Sequence, residues 1–174
     1  MKDEKQDKRK LCIVATVSEN QRYMRVAIDH AEIARQNGDV PVGAVIVHEG
    51  RLIAKAYNQR HQLNDPTAHA EIIALTQAAE AVGSWRLEGC TIYVTLEPCA
   101  MCAGALVNAR VRRLVFGCRD PRFGAVRSKY RIADNGELNH RIEVVEGILA
   151  EECSQLLSDF FLKLRRRGQD TLKF

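Results

Sequence analysis

Three side chains that can bind a metal ion occur in two short motifs. His69 belongs to a His-Ala-Glu triplet, and Cys99 and Cys102 belong to Pro-Cys-Ala-Met-Cys. One imidazole and two thiolates suit zinc, and three protein ligands leave the fourth tetrahedral position open for water. Zinc lowers the pKa of such a water to about 7. These residues therefore predict a catalytic zinc site.

Glu71 lies two residues after His69. That separation is about 200° around a helix of 3.6 residues per turn, so the carboxylate is not expected to bind the same ion. A carboxylate close to the site can instead take a proton from water and return it to a substrate. We expect Glu71 to be the proton shuttle of a hydrolytic reaction.

Neither motif alone is specific for catalysis. A Cys-x-x-Cys pair also occurs in redox dithiols and in four-cysteine structural zinc sites, and His-Ala-Glu arises by chance in many helices. In this order, His-x-Glu followed by Pro-Cys-x-x-Cys is the signature of zinc-dependent nucleobase deaminases. The remaining cysteines lack such neighbours and are expected to be small core or surface residues; they are Cys12, Cys90, Cys118 and Cys153.

The pattern of apolar residues predicts the elements that position these motifs. Two β-rich runs around the Glu49-Gly50 turn predict an antiparallel hairpin. A capping box at Ser18 and Gln21 predicts the start of the first helix, and Asp65-Pro66 predicts the start of the second. The hairpin strands are expected at 42–47 and 52–57, further strands at 91–96, 113–116 and 142–145, and further helices at 68–82, 98–108 and 150–166.

Strands that alternate with helices after a hairpin predict an α/β fold. We expect a three-layer α/β/α sandwich around a five-stranded mixed sheet. Ligands of open α/β sheets bind outside the carboxyl ends of the strands. The residues that follow the second and third strands are therefore expected to form the site.

Positive charge is concentrated in one segment of the chain. The formal net charge is +4, but residues 110–131 contain eight basic residues and a single acid, Asp120. A second basic cluster at 163–167 closes the last helix. Such clusters either bind polyanions such as RNA or form a solvated surface, and charge alone leaves both interpretations open.

No apolar run of the sequence approaches the roughly 18 residues that cross a bilayer. A basic stretch before the apolar run 11–17 imitates a secretory signal, but that run is short and acids interrupt the basic stretch. We therefore expect a cytoplasmic protein with reduced cysteines and no membrane segment. We also expect residues 1–18 to be a disordered N-terminal extension and residues 19–174 to form one deaminase domain.

Between about Tyr23 and Arg166 the sequence resembles the bacterial tRNA-specific adenosine deaminases. The resemblance rests on the motifs above together with several flanking stretches, namely Val40–Val45, Asn58, Asp65–Glu71, Val94–Ala105, Arg119-Asp120 and Ser158–Phe161. It implies the cytidine-deaminase fold, a homodimer, and one zinc ion per subunit. It also implies that zinc-activated hydroxide converts the wobble adenosine of an arginine tRNA anticodon to inosine, with Glu71 as proton shuttle.

The resemblance also implies roles for residues outside the metal motifs. Asn58 and the backbone amide of Ala70 would contact the flipped-out purine. The anticodon stem-loop would be contacted by the basic loop and the last helix, through Arg119, Asp120, Arg122, Arg165 and Arg166. From the residues alone, Asn58 could equally be a turn residue and Asp120 a plain loop acid.

Two other functions stay open from the sequence. A zinc deaminase of a free nucleobase or nucleoside, such as guanine or cytosine, would share the metal motifs but would not need the basic segment. A noncatalytic zinc module that binds RNA or a protein would need a fourth protein ligand. None of the other four histidines stands in such a motif.

Overall fold

The computed structural model describes residues 2–171 and the side chains of residues 19–166. This part of the chain contains five helices and five strands. The helices are α1 (Lys2–Gln36), α2 (Arg60–Leu63), α3 (Ala70–Val82), α4 (Ala100–Asn108) and α5 (Ala150–Thr171). The strands are β1 (Gly43–His48), β2 (Arg51–Tyr57), β3 (Cys90–Leu96), β4 (Arg113–Cys118) and β5 (Glu143–Glu146).

The strands form one sheet in the order β2-β1-β3-β4-β5. Strand β1 is antiparallel to both β2 and β3, whereas β4 is parallel to β3 and β5 is parallel to β4. Strand β2 therefore runs in the same direction as β3, β4 and β5. The predicted five-stranded mixed sheet is confirmed, and the carboxyl ends of four strands lie at one edge.

The hairpin of β1 and β2 follows from its two turn residues. Glu49 and Gly50 both adopt left-handed backbone conformations, with φ of 49° and 72°. Two successive residues of this kind give the tight turn whose twist matches that of the flanking strands. This local signal is why the hairpin is predictable from the sequence.

Helices cover both faces of the sheet because successive strand residues point to opposite sides. In β1, Ala44 and Ile46 pack into a core with α3 and α4, whereas Val45 and Val47 pack into a second core with α1 and α5. Burial of these two apolar surfaces is the main stabilising contribution to the fold. The predicted three-layer α/β/α sandwich is confirmed.

The start of α1 differs from the prediction. The helix begins at Lys2 and not at the capping box of Ser18. Residues 2–36 contain neither glycine nor proline, so nothing in the backbone chemistry ends the helix before Gly38. The division into an N-terminal extension of residues 1–18 and a deaminase domain of residues 19–174 stays a prediction. The side chains of residues 1–18, including Cys12, lie outside those described.

The start of α3 also differs. The N-cap is His69, and Asp65 instead accepts hydrogen bonds at 2.7 Å from the amide and hydroxyl of Thr67. Asp65-Pro66 therefore shapes the loop before the helix, since a short acid often bonds to the backbone two residues on. No pattern in the sequence indicates α2, which Asp39 holds by accepting the amide of His61 at 3.0 Å.

Among the residues that the structure describes, no helix is both long and apolar enough to cross a membrane.

Candidate metal centre and its surrounding loop

The residues singled out for chemistry follow the ends of three parallel strands. Asn58 follows β2, Cys99 comes three residues after the end of β3, and Arg119 and Asp120 follow β4. Since these strands run in one direction, their carboxyl ends bring the three segments to the same edge of the sheet. The site therefore lies at the edge that the sequence predicts.

The three predicted ligands converge at the beginnings of two helices. His69 is the N-cap of α3, Cys99 is the N-cap of α4, and Cys102 lies in the first turn of α4. The Nδ1 atom of His69 lies 3.5 Å from Sγ of Cys102 and 3.8 Å from Sγ of Cys99. Their three ligand atoms all lie within 4.8 Å of one another. Helix N-termini favour thiolates, so the backbone supports this arrangement.

The electrostatics of the two sulfurs fit a bound cation. The hydrogen bond between the two cysteines lowers the pKa of Cys99 to about 4 and raises the pKa of Cys102, which burial raises further. Two thiolates this close repel each other, and a divalent cation between them would let both ionise. With the imidazole of His69, the donor set matches a zinc site with one open position.

Glu71 supplies a buried carboxylate beside the cluster without belonging to it. Its side chain is 4% exposed, and burial raises the pKa of this carboxyl group. Among the described residues, its Oε2 atom has no hydrogen-bond partner. A buried oxygen without a partner is rare and indicates a ligand, a water or a proton at that position. Glu71 is thus buried next to the cluster but is not one of the three residues whose ligand atoms converge.

Asn58 and Ala70 contact each other. Asn58 is buried, and its Oδ1 atom accepts the backbone amide of Ala70 at 2.9 Å. This bond satisfies an amide of the first turn of α3, which the side chain of His69 does not cap. The amide of Ala70 is therefore already hydrogen-bonded within the chain.

Glu97 is a central residue that the sequence did not single out. Its carboxylate is 2% exposed, and it accepts hydrogen bonds from the segment 119–128, which we call the site loop. The Oε1 atom accepts the amides of Val126, Arg127 and Ser128 at 3.1, 2.6 and 2.8 Å. The Oε2 atom accepts the amide of Asp120 at 3.0 Å and the hydroxyl of Ser128.

This set of donors sets the charge state of Glu97. Burial alone would raise the pKa of Glu97, but the hydrogen bonds from Ser128 and from the loop amides lower it below its ordinary value. A usable signal was present, because an acid that directly follows a buried strand must find donors. Glu97 directly precedes Pro98 and Cys99 in the chain. Its carboxylate therefore holds the site loop next to the metal cluster.

The folded chain balances much of the charge in the basic segment 110–131. Four of its eight basic residues form ion pairs with acids that follow the segment, namely Arg113 with Glu143, Arg119 with Glu146, Arg127 with Asp134 and Glu146, and Arg131 with Asp134. Arg119 in particular lies 2.7 Å from Glu146, although the sequence nominates it as an RNA contact. Arg122 has no ion-pair partner among the described side chains.

The last helix lies away from the metal cluster. Helix α5 packs with α1 against the opposite face of the sheet from α3 and α4. Arg165 and Arg166 are exposed near its end. The structure therefore does not bring them together with His69, Cys99 and Cys102, and their contact with RNA stays a prediction.

Known proteins resemble the chain over most of its length. The family model described as MafB19-like deaminase matches residues 18–165. The tRNA-specific adenosine deaminase of Bacillus subtilis strain 168 is 46% identical over 90% of this chain and 98% of its own. That of Haemophilus influenzae is 48% identical over 84% of this chain and 85% of its own.

Solved structures give the same result for the fold. One, from biochemical and structural studies of A-to-I editing by tRNA:A34 deaminases at the wobble position of transfer RNA, has a TM-score of 0.76 and 44% identity. It covers 78% of this chain and 99% of its own. A guanine deaminase from Nitrosomonas europaea, at 24% identity and a TM-score of 0.66 over 80% of this chain and 83% of its own, shares the fold alone.

Proposed function

We propose that this chain, which belongs to the family of tRNA-specific adenosine deaminases, converts adenosine to inosine by hydrolytic deamination. The target is the wobble position of a tRNA anticodon. An arginine tRNA is the expected substrate. The observation that carries the proposal is the buried Glu71 carboxylate, which has a free oxygen beside the cluster of His69, Cys99 and Cys102. Such a carboxylate can move protons between water and a nucleobase.

The donor set fits one zinc ion, which His69, Cys99 and Cys102 would hold. When bound, zinc supplies the Lewis acidity that makes a water molecule acidic near neutral pH. The N-terminal positions of the ligands on α3 and α4 keep them fixed. The remaining steps depend on side chains of this chain.

Glu71 moves the protons of the reaction. Its free Oε2 would take a proton from the attacking water and deliver it to N1 of the adenine ring. It would then carry a proton to the departing amine, so that ammonia leaves and hypoxanthine remains. Burial of the carboxylate excludes bulk water and raises the pKa of Glu71, which favours a group that both accepts and returns a proton.

Asn58 would orient the purine. Its Oδ1 is held by the amide of Ala70, so its Nδ2 donates to an acceptor nitrogen of the ring. This refines the expectation from the resemblance, in which the amide of Ala70 contacts the base directly. A base in an anticodon loop is already unpaired, so its extrusion into the site costs little.

The remaining features of the proposal come from the family. We expect a homodimer in the cytoplasm with one zinc ion per subunit. The anticodon stem-loop is the RNA partner, with Asp120 and Arg122 of the site loop among the contacts. We also propose that Arg165 and Arg166 contact the RNA.

The test is direct sequencing of tRNA after treatment with the purified, zinc-loaded protein. We expect adenosine at the wobble position of arginine tRNA to be read as guanosine, which reports inosine. Free adenosine, guanine and cytosine are assayed in parallel for ammonia release, to test for a deaminase of free bases. Activity on a free base with unmodified tRNA would overturn the proposal.

A further inference from the structure

Phe123 is the most exposed aromatic residue among the side chains that the structure describes. Its side chain is 69% exposed, although burial of a phenylalanine normally stabilises a fold. A single exposed aromatic ring does not by itself indicate a binding site, since single exposed apolar residues are common. The backbone around Phe123 distinguishes it from such residues.

The backbone on both sides of Phe123 is held in a defined turn. The Oδ1 atom of Asp120 accepts the amides of Arg122 and Phe123 at 2.9 and 3.2 Å, and the amide of Gly124 donates to the carbonyl of Asp120 at 2.9 Å. Beyond the turn, the buried carboxylate of Glu97 accepts three further amides of the site loop. The ring therefore projects from a fixed support, which lowers the entropy cost of binding a flat partner.

The same turn lies against the metal cluster. Gly124, the residue after Phe123, pairs with the ligand Cys99 as an isolated β-bridge, and the amide of Ala125 donates to the carbonyl of Pro98 at 2.8 Å. Phe123 is thus one residue from the backbone that pairs with a predicted zinc ligand. Arg122, beside it, is exposed and has no ion-pair partner among the described side chains.

We propose that Phe123 stacks on the base of a nucleotide next to the adenosine that enters the site. The inference rests on the proposed function and adds a recognition residue to it. Unpaired bases of RNA loops stack on aromatic side chains, and a neighbouring arginine can contact the phosphate between two such nucleotides. The turn presents both exposed side chains next to the backbone segment that pairs with Cys99.

The experiment compares Phe123 variants of the zinc-loaded full chain on an anticodon stem-loop RNA. We expect Phe123→Ala and Phe123→Leu to raise KM about 5- to 150-fold, with kcat unchanged, and Phe123→Trp to retain the KM of the parent. Leucine keeps the apolar volume and loses the ring, so it separates stacking from contact area. Trp85→Ala is the matched control, because Trp85 is 61% exposed and follows the far end of α3, about 20 Å from its N-terminus.

A second set of RNAs separates stacking from an indirect effect on the loop. Stem-loops that carry an abasic residue immediately 5′ or 3′ of the target adenosine remove the proposed partner. On one of these two RNAs, we expect the parent protein and Phe123→Ala to have the same KM. An equal penalty for Phe123→Ala on all three RNAs would overturn the inference, as would unchanged KM values for Phe123→Ala and Phe123→Leu. Failure of the proposed function is a separate result, because then the parent itself would form no inosine.

Discussion

Replacement of Glu97 by glutamine tests how much the site loop depends on one carboxylate. In the parent, Oε1 accepts three amides and Oε2 accepts the amide of Asp120 and the hydroxyl of Ser128. Glutamine has the same shape but a single oxygen. If that oxygen keeps the three amides, its NH2 group faces the amide of Asp120, and two donors then oppose each other.

The expected loss follows from these contacts. Hydrogen bonds to a charged acceptor contribute about 1.5–3 kcal/mol, and a buried donor without an acceptor costs about 1–3 kcal/mol. The hydroxyl of Ser128 can rotate and accept, and water can reach part of the loop, so the sum is reduced. We expect Glu97→Gln to lower the free energy of unfolding by about 2–4 kcal/mol. For a domain of this size, that corresponds to a fall in Tm of about 5–15 °C.

The measurement is urea and thermal unfolding of both zinc-loaded proteins between pH 3 and 7, with metal content determined for each. The pKa of Glu97 is lowered in the folded chain, so its contribution to stability is present above the ordinary value of 4.5 and is lost as the pH falls through the folded-state pKa. The stability difference between parent and Glu97→Gln should therefore shrink below pH 4.5.

A matched control removes the same charge from an exposed position. Glu137 is exposed and has no ion pair among the described side chains, so Glu137→Gln should leave stability within about 0.5 kcal/mol of the parent. Equal stability of Glu97→Gln and Glu137→Gln at pH 7 would refute the reasoning. A pH-independent gap would refute the assignment of the effect to the ionised carboxylate.

Three further outcomes are expected. Glu71→Gln should lower kcat on tRNA by about 10²- to 10⁴-fold with zinc content unchanged, and near-parent turnover would show that another group moves the proton. Removal of metal with a chelator should abolish activity and lower Tm, zinc should restore both, and an active metal-free protein would contradict the cluster's role. Arg122→Ala should reduce the slope of the logarithm of the RNA-binding constant against the logarithm of salt concentration by about 0.7. Arg119→Ala should reduce this slope less, because Glu146 already balances the charge of Arg119. Equal reductions would show that the ion pair between Arg119 and Glu146 opens on RNA.

The sequence predicted those parts of the fold that local patterns determine. The hairpin was visible because Glu49 and Gly50 alone dictate its turn, and the layers were visible because alternation and helical periodicity are read within a few residues. The metal cluster was predictable because its two motifs follow strands with a common direction. The helix starts predicted at Ser18 and Asp65 were wrong, because residues that can cap a helix also occur within helices and in loops.

Long-range partners account for what the sequence missed. Glu97 meets donors 23 to 31 residues further along the chain, and Arg119 meets Glu146 across 27 residues. Helix α2 depends on Asp39, which lies 22 residues before His61. No local pattern records such pairings. The sequence shows the net charge of segment 110–131, but it does not show that acids after the segment form ion pairs with four of its basic residues.

The turn at Asp120 separates two roles at this edge of the sheet, namely support of the metal cluster and the proposed contact with RNA. Asp120 accepts the main-chain amides of Arg122, Phe123 and Gly124, and these bonds impose no requirement on the side chains of Arg122 and Phe123. The side chains at positions 122 and 123 can therefore vary while the cluster of His69, Cys99 and Cys102 keeps its arrangement. A library randomised at positions 121–123 would be a practical starting point for redirecting such an enzyme to other nucleotide contexts without rebuilding its chemistry.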